Sequence, residues 1–312
     1  MHAATGSTTT PRAHATVVAC HGRHLRLQLD AGGVALARPA GRKLEVVCGD
    51  EVDCEHDPQH DELRVTAVRP RRTALYRTDA RGRSELVAAN VELLLVVVAP
   101  LPQCDLYVAD RYLAAAASAR MDAALVLNKC ELASDAGLDA GLEGLRLAGY
   151  AVYRCSAHGG VGLGPLLQAI GGRTAMLVGQ SGVGKSSLTR ALAPASEAEV
   201  GELAQNEGGR HTTTTARLYD LPGGGRLLDA PGVRDFSPAI QHLEPSSLGF
   251  VDVAHWAPRC RFKDCRHLKE PDCAVRAASA SGALDPRRYE SYRRLRRLSN
   301  DLTAIQVGRQ RS

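Results

Sequence analysis

The stretch GQSGVGKSS at residues 179–187 constrains this chain most, because it fits the phosphate-loop pattern G-x-x-x-x-G-K-[ST]. A short apolar run precedes it and a segment of helical character follows it, which is the strand–loop–helix context that the pattern requires. Backbone N–H groups at a helix N-terminus then surround a phosphate. The loop consists of Gly179, Gln180, Ser181, Gly182, Val183, Gly184, Lys185, Ser186 and Ser187. Lys185 is expected to reach the outer phosphates and Ser186 to bind Mg²⁺. The alternative is a glycine-rich turn that precedes a helix.

Length, charge and cysteine content limit the class of protein. At 312 residues the chain can hold two or three domains, and its formal net charge of +5 is only mildly basic. Such a charge indicates a nucleic-acid partner only where basic residues cluster. Nine cysteines without a signal peptide favour a cytoplasmic protein with reduced thiols over a disulfide scaffold. The apolar run at residues 91–99 is too short to cross a bilayer.

Residues 15–70 are expected to form a small β-barrel that follows a disordered tail at residues 1–14. Short alternating segments separated by Gly, Asp and Pro clusters are typical of strands. The expected strands are residues 16–19, 25–29, 34–37, 44–47 and 63–68. About five strands in so short a stretch favour an oligonucleotide-binding (OB) type of barrel, and an SH3-like barrel is the alternative.

A basic segment at residues 71–86 is expected to be a linker between two domains. It contains Arg71, Arg72, Arg77, Arg81 and Arg83 and little hydrophobic content. Such a run is commonly only a solvated segment. Beside a small barrel, a groove that faces RNA is the other interpretation.

Residues 87–244 alternate strands with helices, which predicts an α/β domain with a mainly parallel sheet. Strands are expected at residues 93–98, 124–127 and 151–153, ahead of the phosphate-loop strand, and a hairpin at 216–219 and 226–229. Helices are expected at residues 105–121, 138–147 and 164–170. Residues 245–312 are expected to form a helical domain with a basic C-terminal tail.

Three further motifs indicate which nucleotide the domain binds. Asp229-Ala230-Pro231-Gly232 fits D-x-x-G, whose aspartate holds Mg²⁺ and whose Gly232 amide senses the γ-phosphate. Asn128-Lys129-Cys130-Glu131 resembles the guanine-reading N-K-x-D motif, and Ser156-Ala157 resembles the short segment behind the base. Each of these motifs follows a predicted strand, and ligands bind at the carboxyl ends of strands in such sheets. Together they favour GTP with Mg²⁺.

Two features depart from an ordinary GTPase. Glu131 replaces the usual aspartate, so its carboxylate lies one methylene farther from the backbone. Because this residue reads guanine, the replacement leaves ATP as an alternative substrate. The base-reading motifs also precede the phosphate loop, which predicts a circularly permuted domain. In that order the segment after Asp229 continues into the C-terminal region instead of returning to the sheet.

Catalytic residues are expected in and near the run GGRHTTTT at residues 208–215. One threonine of residues 212–215 is expected to close over Mg²⁺ and the γ-phosphate; Thr213 is favoured, and the register leaves the other three as alternatives. Val233 follows Gly232 where many GTPases carry a glutamine, so intrinsic turnover is expected to be slow. His211 is the nearest candidate to orient the attacking water, and a surface histidine is the alternative. With Lys185, these residues form the predicted catalytic set.

A cluster of cysteine and histidine predicts a metal site in the C-terminal domain. Cys260, Cys265, His267 and Cys273 supply three thiolates and one imidazole, a set suited to tetrahedral Zn²⁺. The residues between them are polar and basic, so this region has little with which to build a core unless it binds a metal.

Taken together, these motifs resemble the ribosome small-subunit-dependent GTPase A family (RsgA, also called YjeQ or YloQ). The resemblance extends from about residue 17 to residue 297. It implies an N-terminal OB-fold, a circularly permuted GTPase domain and a C-terminal zinc domain. It also implies late maturation of the small ribosomal subunit, contacts with ribosomal RNA and hydrolysis stimulated by the ribosome. The expected protein is a monomer without a membrane segment. The alternative function is an RNA-binding assembly placeholder that keeps GTP as a structural ligand.

Overall fold

The computed structural model describes residues 13–57, 60, 62–79, 82–194, 216–230 and 237–310, the last eight of them as backbone only. The first described strand, β1, begins at Ala13, inside the predicted tail. The rest of that tail lies outside the described residues. Within the described ranges, no helix is both long enough and apolar enough to span a membrane.

The N-terminal barrel has five strands, as predicted for an OB-type fold. They are β1 (Ala13–His21), β2 (His24–Leu29), β3 (Val34–Pro39), β4 (Glu51–Asp57) and β5 (Glu62–Val68). Their order is β1-β2-β3-β5-β4, and β4 pairs back with β1 to close the barrel. Alternate residues such as Val17, Leu27, Val52 and Val65 fill the interior and are fully buried.

One predicted strand was wrong. Residues 44–47 form no strand, and the fourth strand is β4, which was not among the predicted strands. Asp50 is fully buried, and its carboxylate accepts the Val47 N–H at 2.9 Å, while the Asp50 N–H bonds to the Val47 carbonyl. This turn diverts the chain away from the ladder. The observed strand β4, EVDCEHD, carries many charges, and these hide its alternation of buried and less buried residues.

The prediction of a linker at residues 71–86 was also wrong. Two strands, β6 (Ala74–Thr78) and β7 (Ser84–Ala89), pair there as an antiparallel hairpin. Leu75 and Leu86 face inward and are buried, whereas Arg77 pairs across the hairpin with Glu85 at 2.8 Å. Outward-facing charge hides a short strand whose inward face carries only a few apolar residues.

The central domain is an α/β unit whose sheet is parallel except at one strand. Its strands are β8 (Leu93–Val98), β9 (Asp122–Leu127), β10 (Ala151–Arg154), β11 (Thr174–Gly179), β12 (Ala216–Asp220) and β13 (Arg226–Asp229). They lie in the order β10-β9-β8-β11-β13-β12, and only β12 is antiparallel to its neighbour in this domain. Every residue of β8 is buried, as expected of a strand covered on both faces. The predicted hairpin of β12 and β13 is confirmed.

Four helices cover this sheet and create a buried apolar cluster on each of its faces. They are α1 (Leu106–Ser118), α2 (Ala136–Leu147), α3 (Leu163–Ile170) and α4 (Lys185–Leu192). The edge strand β12 also pairs with β1 through Ala19↔Arg217 and Cys20↔Ala216. The barrel and the central domain therefore share one continuous sheet.

The C-terminal region has three α-helices, α5 (Val251–Trp256), α6 (Ala274–Ala280) and α7 (Pro286–Gln310), and α7 packs on α1 and α2. A buried ion network joins it to the central domain. Arg288 of α7 binds Asp110 of α1 at 2.8 Å and Asp252 of α5 at 2.8 Å, and Arg287 binds the same Asp110 at 2.7 Å. Since an isolated buried charge is costly, these partners fix one arrangement of the two units.

Candidate functional site

The phosphate loop leads from β11 to α4, and two of its glycines occupy places that no other residue could fill. Gly179 has φ 143°, and a Cβ there would lie 2.3 Å from the Val97 carbonyl oxygen. Gly184 has φ 96°, and its Cβ would lie 2.3 Å from Nδ2 of Asn128. The loop therefore needs glycine both for its backbone angles and for its close contacts.

The N-terminus of α4 is open to an anion. Its N-cap residue is Gly184, which provides no capping side chain, whereas Asp105 caps α1 and Asp135 caps α2. The first N–H groups of a helix have no partner within the helix, and its dipole favours negative charge at this end. This end of α4 has the features of a phosphate-binding helix terminus.

Lys185 is buried within the same loop. Its Nζ donates to the carbonyls of Gly179 and Gln180, both at 2.8 Å. The Gln180 side chain in turn accepts the Asp105 backbone N–H at 3.3 Å. The ammonium group is thereby held inside the loop, where it could neutralise an incoming phosphate.

The base-reading segment lies directly against the phosphate loop. Asn128 follows β9 and donates from Nδ2 to the Val183 carbonyl at 2.9 Å, while its Oδ1 accepts the Ala157 N–H at 3.1 Å. Lys129 donates from Nζ to the Gly182 carbonyl at 2.8 Å. The fold thus brings together three predicted segments, residues 128–131, 156–157 and 179–187.

Glu131 lies at the solvent edge of this arrangement. A hydrogen bond from the Ser156 side chain holds the pKa of its carboxyl below the usual value, so the group is ionised at neutral pH. Cys130 bonds through its backbone N–H to the Cys155 carbonyl at 3.1 Å and ties the two segments together. The longer glutamate therefore still presents a carboxylate next to Ser156.

Asp229 ends β13, which pairs in parallel with β11, the strand that leads into the phosphate loop. Gly232, the glycine of the same D-x-x-G motif, and Val233 after it lie outside the described residues. His211 and Thr213 also lie outside them, so their expected roles stay predictions.

One further segment of this site, residues 101–105, carries no recognisable sequence motif. The Leu101 carbonyl accepts Lys129 Nζ at 2.7 Å, and a Cβ added at Gly182 would lie 3.2 Å from the Pro102 ring. This segment follows β8, which lies next to the phosphate-loop strand. The carboxyl ends of neighbouring parallel strands meet at one edge, and that rule could have identified it.

The four predicted metal ligands converge in the C-terminal region, where their ligand atoms lie within 4.8 Å of one another. Nδ1 of His267 lies 3.5 Å from Sγ of both Cys260 and Cys273, and these two sulfur atoms lie 3.9 Å apart. Tetrahedral zinc sets S···S edges of about 3.8 Å and S···N edges of about 3.5 Å. The donor set, which also includes Cys265, therefore fits Zn²⁺.

Neighbouring residues hold the ligand loop in place. The Glu270 carboxylate accepts the backbone N–H groups of Arg266, Leu268 and Lys269. Burial opposes ionisation, but the backbone hydrogen bonds outweigh it and lower the pKa of Glu270 to about 2. From α7, Tyr289 donates its hydroxyl to the His267 carbonyl at 2.7 Å. The loop and the long helix therefore depend on each other.

Comparison with known proteins agrees with the GTPase motifs of the site. A sequence model described as RsgA GTPase matches residues 68–239. A protein of Azotobacter vinelandii named small ribosomal subunit biogenesis GTPase RsgA is 39% identical over 293 residues, which cover 91% of this chain and 85% of the relative. A protein of the same name from Pseudomonas fluorescens is 41% identical over 84% of this chain and 78% of its own length.

Solved structures share the fold. YjeQ from Thermotoga maritima superposes with a TM-score of 0.69 at 26% identity, covering 93% of this chain and 99% of that one. YloQ, described as a circularly permuted GTPase, gives a TM-score of 0.70 at 23% identity, covering 93% of this chain and 96% of that one. The motif set, the family match and these similarities agree, and the chain belongs to the RsgA GTPase family.

Proposed function

We propose that this chain binds the small ribosomal subunit through ribosomal RNA and acts in its late maturation, and that the ribosome stimulates its GTP hydrolysis. Relatives that share about two fifths of its residues carry the name small ribosomal subunit biogenesis GTPase. The observation that carries the proposal is the hydrogen bonding of Asn128 and Lys129 to the phosphate loop. These bonds join the guanine-reading segment and the triphosphate-binding loop into a single site. Membership of the RsgA GTPase family favours GTP over ATP.

In this proposal each predicted residue has one role. Asn128, Lys129 and Glu131 contact guanine, and Ser156 and Ala157 lie behind the base. The loop at residues 179–187 surrounds the phosphates, with Ser186 and Asp229 on Mg²⁺. The Gly232 amide senses the γ-phosphate.

Hydrolysis is an in-line attack of water on the γ-phosphorus. The new P–O bond to water forms as the bond to the β–γ bridging oxygen breaks, which releases inorganic phosphate and GDP. Lys185 neutralises the charge that develops on the phosphate oxygens, Thr213 closes over the γ-phosphate, and His211 orients the water. Mg²⁺ held by Ser186 and Asp229 would supply further positive charge to the same oxygens. Because Val233 cannot orient water, basal turnover is slow.

We also propose one structural Zn²⁺ held by Cys260, Cys265, His267 and Cys273. The metal supplies four bonds that fix the ligand loop. The sulfur and nitrogen spacings support zinc over a disulfide, because no sulfur pair is bonded among the described cysteines. The ligand loop then presents a rigid surface beside α7.

We propose a monomeric cytoplasmic protein with domains at residues 15–70, 87–244 and 245–312. The second candidate function, an assembly placeholder with structural GTP, keeps the same partner and differs only in turnover. The open helix terminus and the lysine held within the loop serve GTP binding in either function, so a measurement of turnover separates the two.

Nucleotide-dependent sedimentation tests the proposed partner. Binding to purified small subunits is expected to be about 5- to 150-fold tighter with a non-hydrolysable GTP analogue than with GDP, the usual range of coupling between sites. Large subunits are the matched control and are expected not to bind specifically. Equal affinity in both nucleotide states, or for both subunits, would contradict the proposal.

A further inference from the structure

A cleft of about 360 Å³ lies between β6, the C-terminal end of α1 and residues 239–243. Its volume falls in the range of roughly 300–1,000 Å³ that ligand sites occupy. Three arginines, Arg71, Arg72 and Arg120, contribute to its lining, and no aspartate or glutamate does so among the described residues. The cleft is separate from the nucleotide site and from the zinc ligands.

Two other clefts of this chain differ from it in charge. The cleft beneath α7 carries Asp105, Asp135 and Glu290 beside its arginines. The groove between β1, β2 and β12 carries Asp30 and Asp220. Of these three, the cleft at β6 is the one lined by cations without carboxylates, which favours a polyanion as its occupant.

The arginines of this cleft differ in how freely they can reach a ligand. Arg120 is exposed just beyond the end of α1, where its φ of 58° turns the chain. Arg72 pairs with Glu51 at 2.7 Å, but both side chains are substantially exposed, and such pairs exchange at little cost. Arg71 is held by the buried Asp50 at 2.7 Å and fixes the floor of the cleft.

Aromatic rings complete the surface. Tyr76 and His242 stack with their centroids 3.8 Å apart and their planes within 3°. His242 is exposed, and a 2.6 Å hydrogen bond between its Nε2 and the Ser84 hydroxyl fixes its ring. Proteins that bind single-stranded nucleic acid combine a cationic groove with aromatic rings on which bases stack.

We propose that this cleft binds a single-stranded segment of RNA, with backbone phosphates on Arg72 and Arg120 and a base near the Tyr76–His242 pair. The inference rests on the proposed function, which supplies RNA as the partner. A protein partner is the competing occupant. Among the described residues that line it, the cleft offers a protein neither an acidic side chain nor a large apolar patch to bind.

The wall of the cleft also connects it to the nucleotide site. Residues 237–243 follow the D-x-x-G motif, and residues 237–239 pair antiparallel alongside β6. The Thr78 N–H bonds to the Ser237 carbonyl and the Ala239 N–H to the Tyr76 carbonyl, both at 3.0 Å. His242 then stacks on Tyr76. RNA bound in the cleft therefore contacts the segment that follows the γ-phosphate sensor. Its binding favours the state in which this segment is paired with β6.

Paired charge-removing variants test the inference. The cleft variant is Arg72→Gln with Arg120→Gln, and the control is Arg146→Gln with Arg190→Gln, which removes the same charge from exposed positions on α2 and α4. Each is measured in full-length protein with a GTP analogue, against small subunits and against a labelled oligouridylate of about twelve nucleotides. The cleft variant is expected to bind both roughly 10-fold more weakly, and its salt slope is expected to fall by about 1.4. The control and GTP affinity are expected to stay unchanged.

Equal behaviour of the two double variants would overturn the inference. A loss toward small subunits with unchanged oligouridylate binding would overturn it too, because the cleft would then contact protein. Failure of the proposed function gives a different pattern. In that case the unmodified chain would bind oligouridylate through the cleft but would not distinguish small subunits by nucleotide state.

Discussion

Lys185→Ala is expected to lower GTP turnover on small subunits by at least about 100-fold, because it removes the cation that neutralises charge on the transferred phosphate. The side chain is buried and donates to two carbonyls of the loop, so its loss also removes this donor from both carbonyls. Turnover is measured as phosphate release at saturating GTP, beside the affinity of the variant for GTP.

The control is Arg190→Ala, which removes a positive charge from an exposed position of the same helix, α4. It is expected to keep turnover within about two-fold, since surface substitutions away from a site have small effects. Retained turnover in Lys185→Ala would show that the loop lysine has no role in hydrolysis. If the variant loses hydrolysis and yet matures small subunits normally, the enzyme proposal fails.

Cys273→Ser is expected to remove the bound zinc and to unfold the ligand loop. Structural zinc binding is worth about 10–16 kcal/mol in small metal-binding peptides, comparable to the whole stability of a domain. Zinc content is expected to fall from about one per chain to about zero. Hydrogen exchange is expected to rise in the loop and in α7, because Tyr289 and Tyr292 donate to carbonyls of that loop.

A matched control for the zinc variant is Cys20→Ser, a cysteine of β1 outside the cluster, which is expected to keep the metal. The buried contact of Arg288 with Asp110 and Asp252 anchors α7 independently, so the central domain is expected to keep its GTP affinity. A metal-free protein with full exchange protection in residues 260–273 would contradict the zinc assignment.

Sequence reasoning succeeded where local pattern and chemistry coincide. The uniformly apolar run of β8 was predicted with its observed bounds, and the glycine loop was placed between the correct strand and helix. The three cysteines and one histidine of the predicted metal set converge in the fold, because thiolate and imidazole at short spacing have few other uses. In each case the residues within one short segment determine the result.

It failed where distant segments decide the local structure. The strand β4 and the hairpin of β6 and β7 carry charges outward, so their inward alternation is visible only once their partners are known. The Asp110–Arg288 pair joins residues 178 positions apart, and no spacing rule connects them. The same holds for Lys129, whose contact with the phosphate loop exists only in the folded sheet.

GTP turnover with and without purified small ribosomal subunits tests the central claim most directly. Basal turnover is expected to be slow, and saturating small subunits are expected to accelerate it by at least about 10-fold, the effect of one added catalytic contribution of 1.4 kcal/mol. Large subunits at the same concentration serve as the control. Turnover that is unchanged by small subunits would contradict the assignment of this chain as a GTPase that acts on the small subunit.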